Sequence, residues 1–329
     1  MEFRTIGNSG ISASVVGLGT WTIGGGTWWG ETDDQESIHT IHAALDAGIN
    51  LIDTAPMYGW GRSEEVVGKA VKGRRGKAVI STKCGLWWHD DRGALFFELE
   101  GTKVTRCLRP ETIRKELELS LKRMDTDYID IYHTHWQAME PDKTPIAETM
   151  GCLLKLKEEG KIRSIAVSNA DTAQMDEYMA IGRIDANQPH YSMLHRDIEA
   201  DILPYCVKNN MSILAYSPLE HGLLTGKITM DTKMDEREFR SGTPWYKPEN
   251  RQKVIDMLEK WGDLTEKYGC GLAELVIAWT FHRPGITHVL CGARRPRQAQ
   301  QNAFAGSLKL DAADITRMDK DIEAVGKPV

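Results

Sequence analysis

The feature that most restricts the fold is an alternation running the length of the chain. Short apolar runs ending in polar or small residues occur at 15–20, 50–53, 78–83, 128–136, 162–167, 184–188, 211–216 and 287–291. Between them lie longer segments of helical pattern, expected near 34–47, 63–71, 110–124, 146–159, 170–180, 193–209, 250–268 and 272–283. Apolar runs without internal alternation suit strands buried on both faces of a parallel sheet. Strands alternating with helices predict βα units in one sheet, and eight such units predict closure into a single (β/α)8 TIM barrel spanning 1–329. Ahead of the first unit, 3–6 and 11–15 flank Asn8-Ser9-Gly10 and predict an N-terminal β-hairpin. A two-domain doubly wound enzyme is the competing fold. No strand is followed by Gly-x-Gly-x-x-Gly, and Gly24-Gly25-Gly26 lacks that spacing, which favours the barrel.

Composition narrows the partners. A net charge of −6 gives no support for nucleic acid or an anionic membrane surface. No apolar run reaches bilayer length, and no apolar h-region follows Met1-Glu2-Phe3-Arg4. The six cysteines form no Cys-x-x-Cys pair, so they read as reduced thiols in a cytoplasmic protein. Tryptophan is abundant and clustered at Trp21, Trp28-Trp29, Trp60, Trp87-Trp88 and Trp136. Adjacent pairs in Gly-rich segments cannot all enter the core, so some are expected on a pocket wall. The segment 86–109 is long for a connection without elements, and loops of that length are usually functional.

Polar residues close several of the apolar runs. Asp53 ends the second, Lys83 the third and His135 the fourth, with Tyr58 just past Asp53. In an α/β barrel these strand ends open on one mouth, where the chemistry is done. A phenol titrates near ~10. An ammonium ~4 Å away at an effective dielectric of ~20 favours the phenolate by up to ~4 kcal/mol, roughly three pKa units. Asp53 supplies the anion that keeps a semi-buried lysine charged, and His135 is placed to align a substrate carbonyl. The set suits a proton donor for an oxygen that gains negative charge, as hydride delivery to a carbonyl requires.

With these residues in place the chain resembles the aldo-keto reductase family. The resemblance is carried by Leu18-Gly19-Thr20-Trp21, Asp53-Thr54-Ala55 with Tyr58-Gly59, Ser63-Glu64, Ser81-Thr82-Lys83, and Tyr128-Ile129-Asp130 running to His135-Trp136. It continues through Val167-Ser168-Asn169, Ala215-Tyr216-Ser217-Pro218-Leu219, Gly222-Leu223-Leu224-Thr225-Gly226-Lys227, and Gly292-Ala293-Arg294 with Gln298 and Asn302. It implies a TIM barrel with extended loops at its C-terminal face that binds NADPH or NADH without a Rossmann domain. It implies catalytic roles for Asp53, Tyr58, Lys83 and His135. Ser168, Asn169 and Gln188 would hold the nicotinamide carboxamide, with Tyr216 stacked on the ring, and Gly19, Thr20, Trp21 and Asp53 would also bind the cofactor. Ser217, Pro218, Leu219 and Lys227 would serve the pyrophosphate, Gly292, Ala293, Arg294, Gln298, Gln301 and Asn302 the adenosine, and Gly222 and Leu224 would also bind the cofactor. Many members have Lys-Ser where this chain has Gly292-Ala293, and Glu at Gln301. Arg294 and Arg295 could replace the missing lysine toward a 2′-phosphate, so the reading leans to NADPH over NADH.

The family builds its substrate pocket from loops, which brings in Trp21, Trp28, Trp29, Trp87, Trp88, His133 and Trp136. Aromatic faces with scattered polar groups suit a sugar-derived or methylglyoxal-type aldehyde. Arg92 is a weaker candidate for an anionic group. Two rival readings are kept. His133 and His135 share a strand face and, with His190 and His195, would suit a metal-dependent hydrolase, although that leaves Tyr58 and Lys83 unexplained. The family also includes potassium-channel β-subunits, so a cofactor-binding regulatory subunit is the other; chain ends fitting the barrel alone favour a free enzyme. Oligomeric state is not legible.

Overall fold

The structure, a computed structural model, describes residues 1–234 and 239–329. Strands β1 (Phe3–Thr5) and β2 (Ser12–Ser14) pair antiparallel as the expected hairpin. The barrel begins with β3 (Val16–Gly19), β4 (Leu51–Asp53) and β5 (Val79–Cys84). Outside it stand β6 (Leu86–Trp87), β7 (Ala94–Leu99) and β8 (Thr102–Arg106). The barrel resumes with β9 (Ile129–Thr134), β10 (Ile162–Ser168), β11 (Ala186–Gln188), β12 (Ser212–Tyr216) and β13 (His288–Gly292). These eight pair in parallel in chain order, and β13 closes on β3. The chain therefore has the (β/α)8 fold.

The interior is layered. Leu51, Val79, Ile131, Ala166, Ala186, Leu214 and Leu290 form a buried cluster, closed from below by Ile6 and Ile11 of the hairpin. The hairpin is thus a plug at the barrel's N-terminal end. Side chains two apart on a strand share a face, so the next layer up reads Asp53, Ser81, His133, Ser168, Gln188, Tyr216 and Gly292. One step along every strand replaces an apolar floor with a polar one, and that step places the site.

Several expected elements differ in detail. The segment 86–109 is not an open loop: β6, β8 and β7 form an antiparallel sheet. Its hairpin turns at Glu100 and Gly101, with φ of 53° and 76°, the pair of left-handed residues that a two-residue turn demands. Glu-Gly is a weaker hairpin signal than Asn-Gly, so the turn did not announce itself. The helix expected near 193–209 is shortened to Ile202–Lys208. That expected over 250–268 divides into Pro248–Glu259 and Gly262–Tyr268, around a fully buried Trp261. Two further helices, Pro296–Ala305 and Ala312–Val325, follow the last strand. All six cysteines are free thiols, and among the described residues no helix is long and apolar enough to cross a membrane.

The 21–30 segment folds as two short turns, Trp21–Gly24 and Gly26–Trp29. Its backbone runs directly against the loop that carries Tyr58. A Cβ on Gly59 would lie 2.2 Å from the Gly24 carbonyl oxygen, and one on Gly24 would lie 2.6 Å from the Tyr58 carbonyl carbon. Neither position has room for a side chain.

Candidate active site

At the polar layer, Lys83 Nζ donates to Asp53 Oδ2 at 2.7 Å and to the Thr54 carbonyl at 2.8 Å, and lies 3.4 Å from the Tyr58 hydroxyl. Lys83 is 1% and Asp53 3% exposed, so the pair is desolvated and needs its remaining lone pairs filled. They are: Asp53 Oδ1 accepts from Ser81 Oγ at 2.8 Å and from Gln188 Nε2 at 2.9 Å. The Tyr58 and His135 rings stand 6.1 Å apart, nearly perpendicular, and both reach the cavity, whereas Lys83 meets Tyr58 from beneath it.

The electrostatics revise one expectation. Burial, and then the Asp53 charge, push the Tyr58 phenol well above its ordinary value rather than lowering it. Lys83 sits closer to Asp53, at 2.7 Å, than to the phenol, at 3.4 Å, so its charge does not offset that burial. At neutral pH it is a phenol holding its proton. Burial lowers Lys83, with Asp53 opposing the shift. Burial, Lys83 and His133 together hold His135 well below its ordinary range, so its imidazole is neutral.

A continuous cavity of about 1090 Å³ opens above this cluster, larger than a drug-sized pocket of roughly 300–1,000 Å³. Its walls include Gly19, Thr20, Trp21, Asp53, Ser168, Asn169, Gln188, Tyr216, Ser217, Pro218, Leu219, Gly222 and Lys227. Farther along they include Gly292, Ala293, Arg294, Gln298, Gln301 and Asn302. Of the residues expected at a cofactor, only Leu224 falls elsewhere, wholly buried in the core. Tyr216 donates to Asn169 Oδ1 at 3.0 Å and its ring is backed by His190, 5.3 Å away and nearly parallel. Asn169 and Ser217 hold φ of 54° and 57°, left-handed backbone that costs a serine more than an asparagine. Arg294 also lines the cavity and donates to the Trp29 carbonyl, whereas Arg295 is largely exposed, 3.8 Å from Glu36.

The aromatic wall is partly as expected. Trp21, Trp28, Trp29 and Trp136 line the cavity, with Trp21 contacting Trp28, Trp29 and Tyr58 at ring separations of 5.8, 5.2 and 6.2 Å. Trp87 does not: it is fully buried, its indole donating to Asp90. Trp88 stacks on His89 and meets Trp60 away from the wall. Phe96 and Phe97 from β7 take the places expected of that pair. Adjacent strand residues ordinarily face opposite ways, and it is the register shift between Leu95 and Phe97 that allows both rings to reach the wall. His133 is also off the wall. Its ring nitrogens lie 3.0 Å from Ser81 Oγ and 3.3 Å from the Val167 carbonyl, within the layer of Asp53 and Ser81. Both being engaged, it offers no lone pair to a metal. Arg92 is committed to Asp90 at 2.7 Å.

Other wall residues carried no sequence signal. Thr22 has a buried hydroxyl without a hydrogen-bond partner, close to Gly292. Glu274, 6% exposed, accepts from Gln301 Nε2 at 3.0 Å. His221 lines the cavity beside Trp21, with Ser217 Oγ 3.2 Å from its Nε2. An elongated cleft with orphaned and paired polar groups along one wall, and a phenol over a buried lysine at its floor, fits an extended dinucleotide beside a small carbonyl compound.

A parallel barrel carrying an Asp-Lys-Tyr-His cluster at its C-terminal mouth defines a class of oxidoreductases. The chain belongs to the aldo/keto reductase family, whose model matches residues 15–323. It is 44% identical over 327 residues, 99% of both chains, to an NADH-specific methylglyoxal reductase of Escherichia coli. It is 39% identical to the aldo-keto reductase YhdN of Bacillus subtilis, over 99% of this chain and 93% of the other. Among solved structures it superposes on a glycerol dehydrogenase from Gluconobacter oxydans with TM-score 0.88 at 39% identity, covering 99% and 97% of the two chains. An aldo-keto reductase from Klebsiella pneumoniae in complex with NADPH gives TM-score 0.73 at 27% identity, covering 100% and 97%. The protein is an oxidoreductase of the nicotinamide-using aldo-keto type.

Proposed function

We propose that this enzyme reduces the carbonyl of a small polar aldehyde, of the methylglyoxal or short sugar-aldehyde type, to an alcohol. The observation that carries the reading is the Tyr58 hydroxyl, protonated, facing the cavity and set 3.4 Å from Lys83 Nζ. When bound, a reduced nicotinamide supplies the hydride. Tyr58 gives its proton to the carbonyl oxygen as charge gathers there. Lys83 steadies the phenolate left behind, and Asp53 keeps Lys83 charged and fixed. The neutral His135 imidazole donates to the same oxygen and orients it. Tyr216, stiffened from behind by His190, serves as the platform for the nicotinamide, with Ser168, Asn169 and Gln188 at its carboxamide. The buried, unpartnered Thr22 hydroxyl faces the same wall and suits the pyrophosphate.

For the cofactor, Arg294 alone supports a 2′-phosphate. Three features weigh the other way: the absence of a lysine at Gly292-Ala293, the distance of Arg295, and the Glu274 carboxylate beside Gln301. A carboxylate in a desolvated wall repels a phosphate and accepts from ribose hydroxyls. The E. coli relative is itself described as NADH-specific. We therefore read NADH as the better cofactor, with NADPH also accepted, in place of the lean toward NADPH.

Titrating tryptophan fluorescence with NADH and NADPH, and measuring methylglyoxal turnover with each, tests the reading. Native enzyme should show saturable quenching. Tyr58→Phe should quench alike but lose about 10²- to 10⁴-fold in kcat. A Tyr58→Phe enzyme turning over aldehydes at the native rate would remove Tyr58 from its role.

A further inference from the structure

Arg106 ends β8 in an unusual position. Its guanidinium carbon lies 3.9 Å from the centre of the Phe96 ring and 4.6 Å from that of Trp136. Both rings line the cavity, and Trp136 is the immediate neighbour of His135. Across the sheet Arg106 is the register partner of Leu86, another wall residue. Opposed residues leave a sheet on the same face, so Arg106 leaves this small sheet on the cavity side, beside the Phe96 and Trp136 rings though not itself on the wall they form. The arginines around it are satisfied: Arg92 pairs with Asp90 at 2.7 Å and Arg109 with Asp142 at 2.7 Å. Arg106 has no such partner among the described residues, and its Nε is buried without an acceptor. Burial lowers its pKa, the sign of a guanidinium desolvated without a compensating anion.

We infer that Arg106 is an anion-recognition element of the substrate site, taking the carboxylate or phosphate at the far end of an aldehyde whose carbonyl lies against Tyr58 and His135. The inference rests on the reductase reading above. The two aromatic rings pack against the planar guanidinium without accepting from its N–H groups, which stay available for a two-pronged contact with an oxyanion. The neutral, aromatic part of the wall would then receive the body of the molecule. The substrate class becomes sugar phosphates or sugar acids with a free carbonyl, rather than uncharged aldehydes alone.

The test compares matched pairs on the complete enzyme with saturating NADH: glyceraldehyde against glyceraldehyde 3-phosphate, and glucose against glucuronate. The phosphate pair and the carboxylate pair separate the two sources of the anion. A charge-assisted contact predicts that the charged member of at least one pair has a kcat/KM about tenfold higher, through KM. In Arg106→Met, which keeps the stacking volume, that ratio should fall to about one. In Arg106→Lys it should be partly retained, since an ammonium keeps the charge without the fork. Because each ratio is taken within one enzyme preparation, a loss of folded protein does not alter it. Equal kcat/KM for charged and neutral members in the native enzyme, or a preference that survives Arg106→Met, would overturn the inference. Failure to reduce any aldehyde with either cofactor would instead overturn the reductase reading.

Discussion

The floor of the cavity and its aromatic rim are built by different means. The floor is made from strand ends: Asp53, Ser81, Lys83, His133 and Gln188 come from four barrel strands whose register is fixed by the closed sheet. Every polar atom of the Asp53–Lys83 pair is engaged by protein. The rim is made from what the barrel does not supply, the Trp21–Trp29 turns and the β6-β8-β7 sheet, whose rings meet edge to face. A closed ladder tolerates no local adjustment, whereas an added hairpin can change its facing residues without disturbing its neighbours. Reaction chemistry belongs to the first kind of construction, and choice of substrate to the second.

If that division holds, disturbing the floor should cost stability and rate together, and disturbing the rim should alter affinity alone. The largest effect is expected for Lys83→Met. Removing one member of a buried pair typically costs about 3–5 kcal/mol, and loss of proton-transfer support should lower kcat by about 10²-fold or more. Thermal melting and steady-state turnover read both. A variant as stable and active as the native enzyme would break the comparison at its strongest point.

His133→Gln probes the floor through pH. Burial, then Lys83, hold His133 down to about 4, against an ordinary value of 6.5. Between those values the unfolded chain binds a proton that the folded one refuses, so stability falls as the pH drops from about 6.5 toward 4. The shift corresponds to on the order of 3 kcal/mol. Denaturant midpoints at pH 7.5 and 4.5 should lie closer together in the glutamine variant, and an unchanged difference would show that the acid sensitivity arises elsewhere. The smallest effect is expected at the rim. Trp28→Ala should raise KM for a polar aldehyde by about tenfold, as truncating one hydrophobic contact does, with kcat little changed. A matching loss in kcat would mean that Trp28 acts on the reacting atoms.

The same division explains what was legible in the sequence. The barrel could be read because each strand is an apolar run with a polar end. Asp53, Lys83 and His135 could be read because they are those ends. Tyr58 could be read from its place just past Asp53, whereas the stretch from Ser168 to Lys227 followed from motif resemblance. Trp87 and Trp88 were misplaced because 86–109 carried no strong turn signal, and without a register no rule says which of two adjacent tryptophans turns inward. The structure buries Trp87, sends Trp88 toward Trp60, and brings Phe96 and Phe97 to the wall. His133 fell off the wall for a finer reason: period-two alternation gives the face but not the depth, and His133 sits one layer below His135. The raised pKa of Tyr58 depends on its burial and on the nearby Asp53 charge, which spacing does not encode. Thr22 and Glu274 gave no signal, since neither ends a strand.

The contact between Gly24 and Gly59 has a consequence for how such an enzyme can diverge. Each glycine occupies space that the other's backbone needs, so neither can acquire a side chain without displacing the loop that carries Tyr58. Because each clash is with backbone, changing both together relieves neither, and both positions are held as glycine although neither touches a reacting atom. A lineage descended from this chain can change what it admits while the point at which the acid stands is inherited unchanged.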